Sequence, residues 1–421
     1  MFSFFKRPKT MFYTLGIFSG FFSAFYMSVD DWALSKYGFD PVIYGLYSEY
    51  IGVTTAFIFV LLLGSIKIST KIRVKRPLGA LIDPQFQGLI LPSKEYKDVF
   101  KYIFYAGVLG GINTLFYFLA VSKTNPAVIQ PLFQFVTLYL LIFEILFIEK
   151  ETPTNIEIIS IINVVIGGII ITSNGSAGFE KDSLVGALLV LGPINLTQIG
   201  ITYYQKKART TKATNGRQID ALNIRLWFTF FMAISLTIVS IPFYNENTLQ
   251  NIIQIWKIIV PIVSFGMTFT FIAYILYIRL LALGKMSVVN AITSISIVFS
   301  IIFTAINLKI VNGKSFTPEQ WTQKILGSIL VIAGIITLSL STINTFVFIK
   351  CKPGTNHDVF EKLSHLKLES VALTSGTYDI IAKVNIRSVG RYHSLLIKKI
   401  EKIDGIEKVY TLTVMRQWER Y

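Results

Sequence analysis

Polar side chains inside long apolar stretches are the features of this sequence that could do chemistry. The sequence shows neither a nucleophile–base pattern nor metal-ligand spacing. Ionisable and amide groups in such stretches are costly in lipid, and they usually face a cavity or a partner group. The candidate site residues are therefore Glu49, Asn113, Gln130, Gln134, Asn195, Gln198 and Asn290.

Glu49 lies in the stretch IYGLYSEYIGV and has two open interpretations. On a helix it would sit roughly 12 Å from the outer end of its stretch, at 1.5 Å per residue. At that depth a carboxylate could couple protons or bind a substrate amine, whereas a glutamate near the headgroups would do neither. Glu144, in LLIFEILFIEK, lies nearer the opposite end, where we expect it to pair with a basic loop.

Gln130 and Gln134 are four residues apart and therefore share one helix face. Pro131 between them frees a backbone carbonyl and can kink the helix, which suits a cavity wall. Hydrogen bonding between helices is the alternative, and the same choice applies to the other amides. Arg279 and Lys285 flank a short turn, where a cytoplasmic charge bias is expected and an anion site is the alternative.

Ten apolar stretches of about 20 residues, each long enough for a bilayer core of roughly 30 Å, predict ten transmembrane helices. The apolar fraction is 52%, mean hydropathy is +0.58, and 15% of residues are charged. A soluble domain has about 25% charged residues. The first stretch is not followed by a clear A-x-A cleavage site, which favours a retained helix over a signal peptide. The single cysteine, Cys351, excludes an internal disulfide.

The distribution of basic residues predicts the orientation in the membrane. A net charge of +16 would suggest nucleic acid for a soluble protein, but here lysine and arginine mark the cytoplasmic side. They are concentrated in segments 66–100 and 205–220. The segments expected on the other side are acidic, neutral or mildly basic, and they are 30–40, 173–183, 244–257 and 309–321. We therefore expect a multi-pass plasma-membrane protein with both termini cytoplasmic.

A weak internal duplication organises the apolar region. The sequence FYFLAVSKTNPAVI at 116–129 is echoed by YIRLLALGKMSVVN at 277–290, an offset of 162 residues. The two copies cover about 10–173 and 184–343. Each copy contains five predicted spans, an odd number, so the copies must have opposite orientations.

The stretch FLAVSKTNPAVIQPL and the later FIEKE resemble the EamA-type drug/metabolite transporter superfamily. The resemblance covers about residues 10–343, and it implies a ten-helix carrier that works by alternating access. Pro131 and Glu149 fill the family's proline and glutamate places in the first copy. The second copy has Thr293 instead of the proline, and no matching glutamate.

The segment after 344 has no stretch of membrane length and predicts a small α+β domain. TFVFIKC, LESVALT, YDIIAKVNI and KVYTLTVM indicate strands, with a tight turn at Ser375-Gly376. NHDVFEKLSHL, capped by Asn356, and SVGRYHSLLIKKIEKI indicate helices. The order is βαββαβ, a ferredoxin-like arrangement. A sheet this small leaves one face to cover, so a homodimer is expected.

The sequences TSGTYDIIAKV at 374–384 and IEKIDGIEKVYTLTVM at 400–415 resemble the ligand-binding (RAM) domain of the Lrp/AsnC regulators. The resemblance implies dimerisation through the sheets. It also implies binding of an amino-acid-like effector near Gly376, Tyr378 and Asp379. Glycine suits the expected turn because it accepts a positive φ. The family's DNA-binding helix-turn-helix is replaced by the apolar region, so nucleic acid is not an expected partner.

Together these patterns predict a transporter domain at 1–344 and a cytoplasmic ligand-binding domain at 345–421. The expected function is secondary transport, in the export direction, of amino acids or similar small metabolites, regulated by the C-terminal domain. No enzymatic activity, cofactor or metal is expected. Two alternatives stay open: a receptor or scaffold that does not transport, and a carrier of sugar phosphates or nucleotide sugars.

Overall fold

The computed structural model describes residues 8–69, 75–124, 126–149, 155–172, 181–244, 248–284, 286–312, 316–340, 343–364, 366, 368, 370–386 and 400–413. The chain divides into two compact units. The helical unit comprises Met1–Thr152 and Ile161–Ile336, and the sheet unit comprises Pro153–Ser160 and Thr337–Tyr421.

Apolar helices make up most of the helical unit. Their bounds are α1 Pro8–Tyr37, α2 Pro41–Ser65, α3 Lys97–Val121, α4 Pro126–Phe133, α5 Phe135–Phe143, α6 Asn155–Thr172, α7 Lys181–Leu189, α8 Asn195–Thr210, α9 Ala221–Ser240, α10 Thr248–Leu283, α11 Met286–Thr293, α12 Ser296–Asn312 and α13 Pro318–Leu340. Within the described ranges, seven helical stretches are long and apolar enough to cross a membrane. This confirms a multi-span architecture, while the total of ten spans stays a prediction.

The expectation of an outer loop at 30–40 is wrong for its first part. Helix α1 continues to Tyr37, and Asp30 and Asp31 are buried on it. The helix can hold these carboxylates because hydrogen-bond donors from other helices reach them, which offsets their loss of hydration. The next helix begins at a conventional cap: the side chain of Asp40 accepts bonds from two backbone N–H groups of the first turn of α2.

Two helices of the unit are interrupted at corresponding places. One break separates α4 from α5 at Gln134, and the other separates α11 from α12 between Thr293 and Ser296. The side-chain amide of Gln134 donates to the hydroxyl of Ser296 over 3.4 Å, and these positions differ by 296 − 134 = 162, the offset of the sequence duplication. Helix α4 packs against α12, and α5 packs against α11. The first half of each broken helix thus packs against the second half of the other. The two broken helices therefore cross in opposite directions.

The polar segment between α2 and α3 is tied to the start of α9 by a buried ion pair. After a short hairpin of strands β1 Lys67–Ser69 and β2 Lys75–Pro77, the chain reaches Asp83. The guanidinium of Arg209 donates to both carboxylate oxygens of Asp83, at 2.9 and 3.1 Å. Asp83 also accepts from the backbone N–H of Ala221 at 2.8 Å, and Arg209 donates to the carbonyl of Ile219. We call this network the clasp.

Further hydrogen bonds join the segment between α2 and α3 to helix α9. The side chain of Asn223 accepts from the N–H of Ile90 and donates to the carbonyl of Gly88, both at 2.8 Å. Trp227 donates its indole N–H to the carbonyl of Ile90 at 2.8 Å. Burial raises the pKa of Asp220 to about 6, although its hydrogen bonds from Asn223 act in the opposite direction.

The sheet unit has the four strands that the sequence predicts. They are β3 Ile343–Cys351, β4 Ser370–Leu373, β5 Ile380–Ile386 and β6 Ile406–Thr413, with α14 Asn356–Ser364 after the first. They form an antiparallel sheet in the order β4-β5-β3-β6. Apolar side chains of β3 and α14 form its core, including Val347, Ile349, Val359 and Leu363. The predicted second helix lies mostly outside the described residues, with Ile400 and Glu401 helical.

Two local expectations for the sheet unit are wrong. The connection from β4 to β5 is a loop of six residues, Thr374–Asp379, and not a tight turn at Ser375-Gly376. Gly376 does not have a positive φ, so a left-handed backbone conformation does not explain why glycine occupies this position. Asn356 is the first residue of α14, and its side-chain amide donates to Asp379 rather than accepting from the helix.

The clasp generates a stability prediction. Replacing Asp83 by alanine leaves the buried Arg209 without its carboxylate, and breaking a buried pair in this way costs about 3–5 kcal/mol. We therefore expect Asp83→Ala to lower the midpoint of thermal unfolding of the detergent-purified protein strongly. Glu95→Ala is the matched control: the exposed side chain of Glu95 contacts Asn215 in the same region, and exposed pairs contribute little. Equal midpoints for the two variants would contradict a structural role of the clasp.

Candidate functional site

A charged cavity of about 60 Å³ lies among the apolar helices of the helical unit. Helices α1, α2, α3, α9 and α10 contribute most of its wall. The charged, amide and hydroxyl residues of that wall are Tyr26, Asp30, Glu49, Asn113, Thr114, Tyr117, Arg225, Thr270 and Tyr274. Two carboxyl groups and one guanidinium therefore line one small space among apolar helices.

Both carboxylate oxygens of Asp30 accept hydrogen bonds from other side chains of the protein. One of its oxygens accepts from the hydroxyl of Tyr44 at 2.9 Å, and the other accepts from Tyr117 at 3.1 Å. Tyr44 comes from α2 and Tyr117 from α3, so the carboxylate joins three helices. Hydrogen bonds to an ionised group are among the stronger ones, and they offset part of the cost of burial.

Glu49 and Arg225 have unused hydrogen-bonding capacity. The two residues are 5% and 3% exposed. Nothing among the described residues donates to Oε2 of Glu49 or accepts from Nε or Nη1 of Arg225. The guanidinium lies 4.0 Å from the ring centre of Tyr274, a cation–π contact that supports one of its faces. A buried carboxylate and a buried guanidinium thus line one cavity with several atoms unpaired.

A second space, the amide cavity, adjoins the first. It also measures about 60 Å³, and the polar side chains on its wall include Gln134, Gln198, Tyr277, Asn290 and Ser296. Four residues line both cavities: Tyr26, Met27, Phe133 and Tyr274. The two cavities are therefore neighbours that share part of their walls.

The polar groups of the amide cavity form a chain of hydrogen bonds. Gln198 donates to Thr202 over 3.4 Å, the hydroxyls of Thr202 and Tyr277 are 3.1 Å apart, and Asn290 donates to Tyr277 at 3.0 Å. Asn290 also donates to the carbonyl of Met286. This chain links α8, α10 and α11, so it fixes the wall on the side of the broken helix α11–α12.

The structure brings together five of the seven residues chosen from sequence. Glu49 and Asn113 line the charged cavity, while Gln134, Gln198 and Asn290 line the amide cavity. Asn195 is buried and donates to the carbonyl of Leu132 at 2.9 Å, which is a contact between helices. The side chain of Gln130 lies outside the described residues.

Sequence reasoning missed Asp30 and Arg225, although each carried a signal. The sequence SVDDWALSKY has no glycine or proline between Asp30 and the end of α1, which is the pattern of a continuing helix. Arg225 follows only four residues of α9 and resembles a positive charge at a membrane surface. Its burial results from packing between helices, which hydropathy does not report.

Glu144 contacts residues that directly follow the short turn containing Lys285, and its expected pairing with a basic loop stays a prediction. It is buried at the end of α5, where it accepts from the backbone N–H of Met286 at 2.9 Å and from the hydroxyl of Ser287 at 2.6 Å. It therefore binds the first turn of α11, where a carboxylate is favoured by the unpaired N–H groups. The side chain of Glu149, which fills the family's glutamate place in sequence, lies outside the described residues.

In the sheet unit, the loop Thr374–Asp379 is fixed by Asp379. Its carboxylate accepts from the backbone N–H of Cys351 at 2.8 Å and from the side-chain amide of Asn356 at 3.2 Å. The ring of Tyr378 contacts Phe348 and Tyr410 on the neighbouring strands. Burial, and to a smaller extent the nearby Asp379, raise the pKa of the Cys351 thiol.

Comparison with known proteins identifies the C-terminal segment. Residues 344–421 match the model of the Lrp/AsnC ligand binding domain, and the apolar region has no match to the EamA family. An uncharacterised HTH-type transcriptional regulator of Pyrococcus abyssi is 29% identical over 76 residues. That alignment covers 17% of this chain and 48% of the regulator, so the chain spans about half the length of the curated relative it matches.

Two solved structures are also similar. Escherichia coli AsnC is 26% identical over 28% of this chain and 83% of its own, with a TM-score of 0.19. A crystal structure described only as that of a protein is 14% identical over 77% of this chain and 98% of its own, with a TM-score of 0.46. At these TM-scores neither likeness establishes a shared fold for the whole chain.

The fold and the family match together define a class of protein. It is a multi-pass membrane protein that carries an Lrp/AsnC-type ligand-binding domain at its C-terminal end. The membrane region adds a buried polar cavity with unpaired charged groups.

Proposed function

We propose that the protein is a secondary membrane transporter of amino acids or similar small metabolites, working in the export direction. The observation that carries the proposal is the charged cavity inside the apolar helices. Burying Glu49 and Arg225 with unpaired atoms costs stability, and such groups in a membrane region serve substrates or ions. A ligand-binding domain on the same chain would sense the transported compound or a relative of it.

The two broken helices support alternating access between inverted repeats. They cross in opposite directions and contact each other at positions 162 residues apart, as an inverted pair of copies would. Their breaks lie beside the amide cavity, through Gln134 and Ser296. Interrupted helices near the middle of the membrane form the substrate site in many transporters.

The arrangement favours amino acids over phosphorylated sugars. The basic candidate for an anion site, Arg279, donates to the backbone carbonyl of Ile82 and is thereby tied to the segment of the clasp. Lys285 lies outside the described residues. The charged cavity instead offers carboxylates together with one guanidinium, which suits a ligand with both an amine and an acid. A receptor without transport would keep this cavity but give no flux.

A transport assay tests the proposal and the coupling role of Glu49. The purified full-length protein in liposomes should carry at least one labelled amino acid when a pH gradient is imposed. Glu49→Gln removes the ionisable group, so pH-driven flux should fall to the level of empty liposomes. The other titratable groups on the wall of the cavity remain in that variant, and they are Tyr26, Asp30, Tyr117, Arg225 and Tyr274.

The exposed Glu95→Gln is the matched control, and its flux should equal that of the unmodified protein. Absence of flux for every amino acid in the unmodified protein would favour the receptor. Inhibition by sugar phosphates, but by none of the amino acids, would favour the alternative substrate class. Unchanged pH dependence in Glu49→Gln would limit Glu49 to a role without coupling.

The orientation is tested by labelling from outside intact cells. We propose that segments 66–100 and 205–220 and the C-terminal domain are cytoplasmic, because basic residues are concentrated there. A single cysteine placed at Lys212 should therefore resist an impermeant thiol reagent until the membrane is permeabilised. A cysteine at Tyr37, near the opposite end of α1, should react without permeabilisation. Labelling of Lys212→Cys in intact cells would reverse the proposed orientation.

The C-terminal domain is tested by thermal shift. We propose that residues 345–421 form a dimer and bind an amino acid near Gly376, Tyr378 and Asp379, which would hold the full protein as a dimer. A ligand that binds the folded state raises the unfolding midpoint by mass action, so at least one amino acid should raise it. Tyr378→Phe is the better site variant, because Asp379→Ala would also remove two hydrogen bonds of the loop.

Asp379→Asn retains most of the side chain's shape and can be compared beside Tyr378→Phe. Absence of a shift with all amino acids would leave the domain as an assembly module. A monomeric segment in sedimentation would remove the assembly role as well.

A further inference from the structure

The unpaired atoms of the charged cavity have the chemistry of a zwitterion site. Arg225 offers guanidinium N–H groups from α9, and Glu49 offers a carboxylate oxygen from α2, on the wall of the same cavity. No hydrogen bond joins the two described side chains, so neither satisfies the other. The third ionisable group, Asp30, is already occupied by Tyr44 and Tyr117.

We infer that this cavity binds an α-amino acid by its backbone groups, with the carboxylate at Arg225 and the ammonium at Glu49. The inference rests on the proposed transport function and assigns the substrate's orientation within it. Arginine suits a carboxylate because its N–H groups form a planar fork that can donate two parallel bonds. Tyr274, stacked on the guanidinium at 4.0 Å, holds the fork in place without using its donors.

The neighbouring amide cavity then receives the substrate's side chain. It shares Tyr26, Met27, Phe133 and Tyr274 with the charged cavity, so movement of these side chains joins the two spaces. Among the described residues, its polar wall consists of amides, hydroxyls and phenols, with no carboxylate, amine, guanidinium or imidazole. The expected substrates are therefore neutral amino acids, and a polar neutral side chain finds more partners there than an aliphatic one.

The test uses full-length protein in liposomes, with exchange of labelled substrate at equal pH on both sides, so that proton coupling is not required. The probes are the labelled L-amino acids. The competitors are three matched compounds: the best-transported amino acid, its decarboxylated amine and its deaminated acid. The unmodified protein should be inhibited by the amino acid at concentrations at least tenfold below those of the amine or the acid.

Arg225→Gln should raise the half-saturating concentration at least tenfold and remove the preference for the amino acid over its amine. Glu49→Gln should instead remove the preference over the deaminated acid. Arg225→Lys retains the charge but loses the planar fork of N–H donors. Its half-saturating concentration should therefore lie between those of the unmodified protein and Arg225→Gln. Arg217→Gln, an exposed arginine outside both cavities, is the control and should behave as the unmodified protein. The C-terminal domain is the same in every variant, so these differences report on the cavity.

Each outcome separates the inference from the proposed function. If the unmodified protein exchanges no amino acid, the proposed function fails. If it exchanges one, but Arg225→Gln retains both its half-saturating concentration and its preference over the amine, the orientation is overturned. If the single variants merely fail to fold, the double variant Glu49→Gln/Arg225→Gln removes both buried charges together. Normal folding with normal exchange in that double variant would show an internal pair and overturn the inference.

Discussion

The helical unit depends on the cost of placing charge among apolar helices. An ion taken from water into a low-dielectric interior loses several kcal/mol of hydration, which must be replaced by partners of opposite charge or by hydrogen bonds. Asp30 receives this replacement from two tyrosines, and Glu144 receives it from the first turn of α11. Glu49 and Arg225 have fewer hydrogen bonds to replace their lost hydration, and both line the polar cavity.

The satisfied acids connect neighbouring helices, while two helices of the unit are broken near its polar cavities. Asp30 links α1, α2 and α3, and Glu144 links the end of α5 to the start of α11. At the breaks the regular backbone ladder is interrupted, and among the described contacts Gln134 donates to Ser296 across 3.4 Å. This bond is longer than those of 2.9 and 3.1 Å by which Arg209 donates to the ionised Asp83 in the clasp, and charge-assisted bonds are the stronger kind.

The sequence predicts much of the fold because apolar length and period are local properties. The apolar spans, the strands of the sheet unit and the offset of 162 residues could all be found this way. The site was only partly predictable. Glu49 and Gln134 were found because a polar residue within an apolar run stands out, whereas Asp30 and Arg225 lie near the ends of their runs. Whether an end residue faces water or a neighbouring helix depends on tertiary packing, and the six-residue loop before Asp379 depends on hydrogen bonds to other elements.

The size of the cavities bears on how a substrate could enter. Each measures about 60 Å³, and the same four residues line both. Under the proposed transport function, the helices around them would separate for a substrate to bind or leave. The two cavities meet at Phe133 and Tyr274, and Phe133 is the last residue of α4, next to the break at Gln134. Bending at that break would move Phe133 away from the shared wall and join the charged cavity to the amide cavity. If the protein transports as proposed, enlarging the site and changing the shape of the broken helices would be one motion, which is the coupling that alternating access requires.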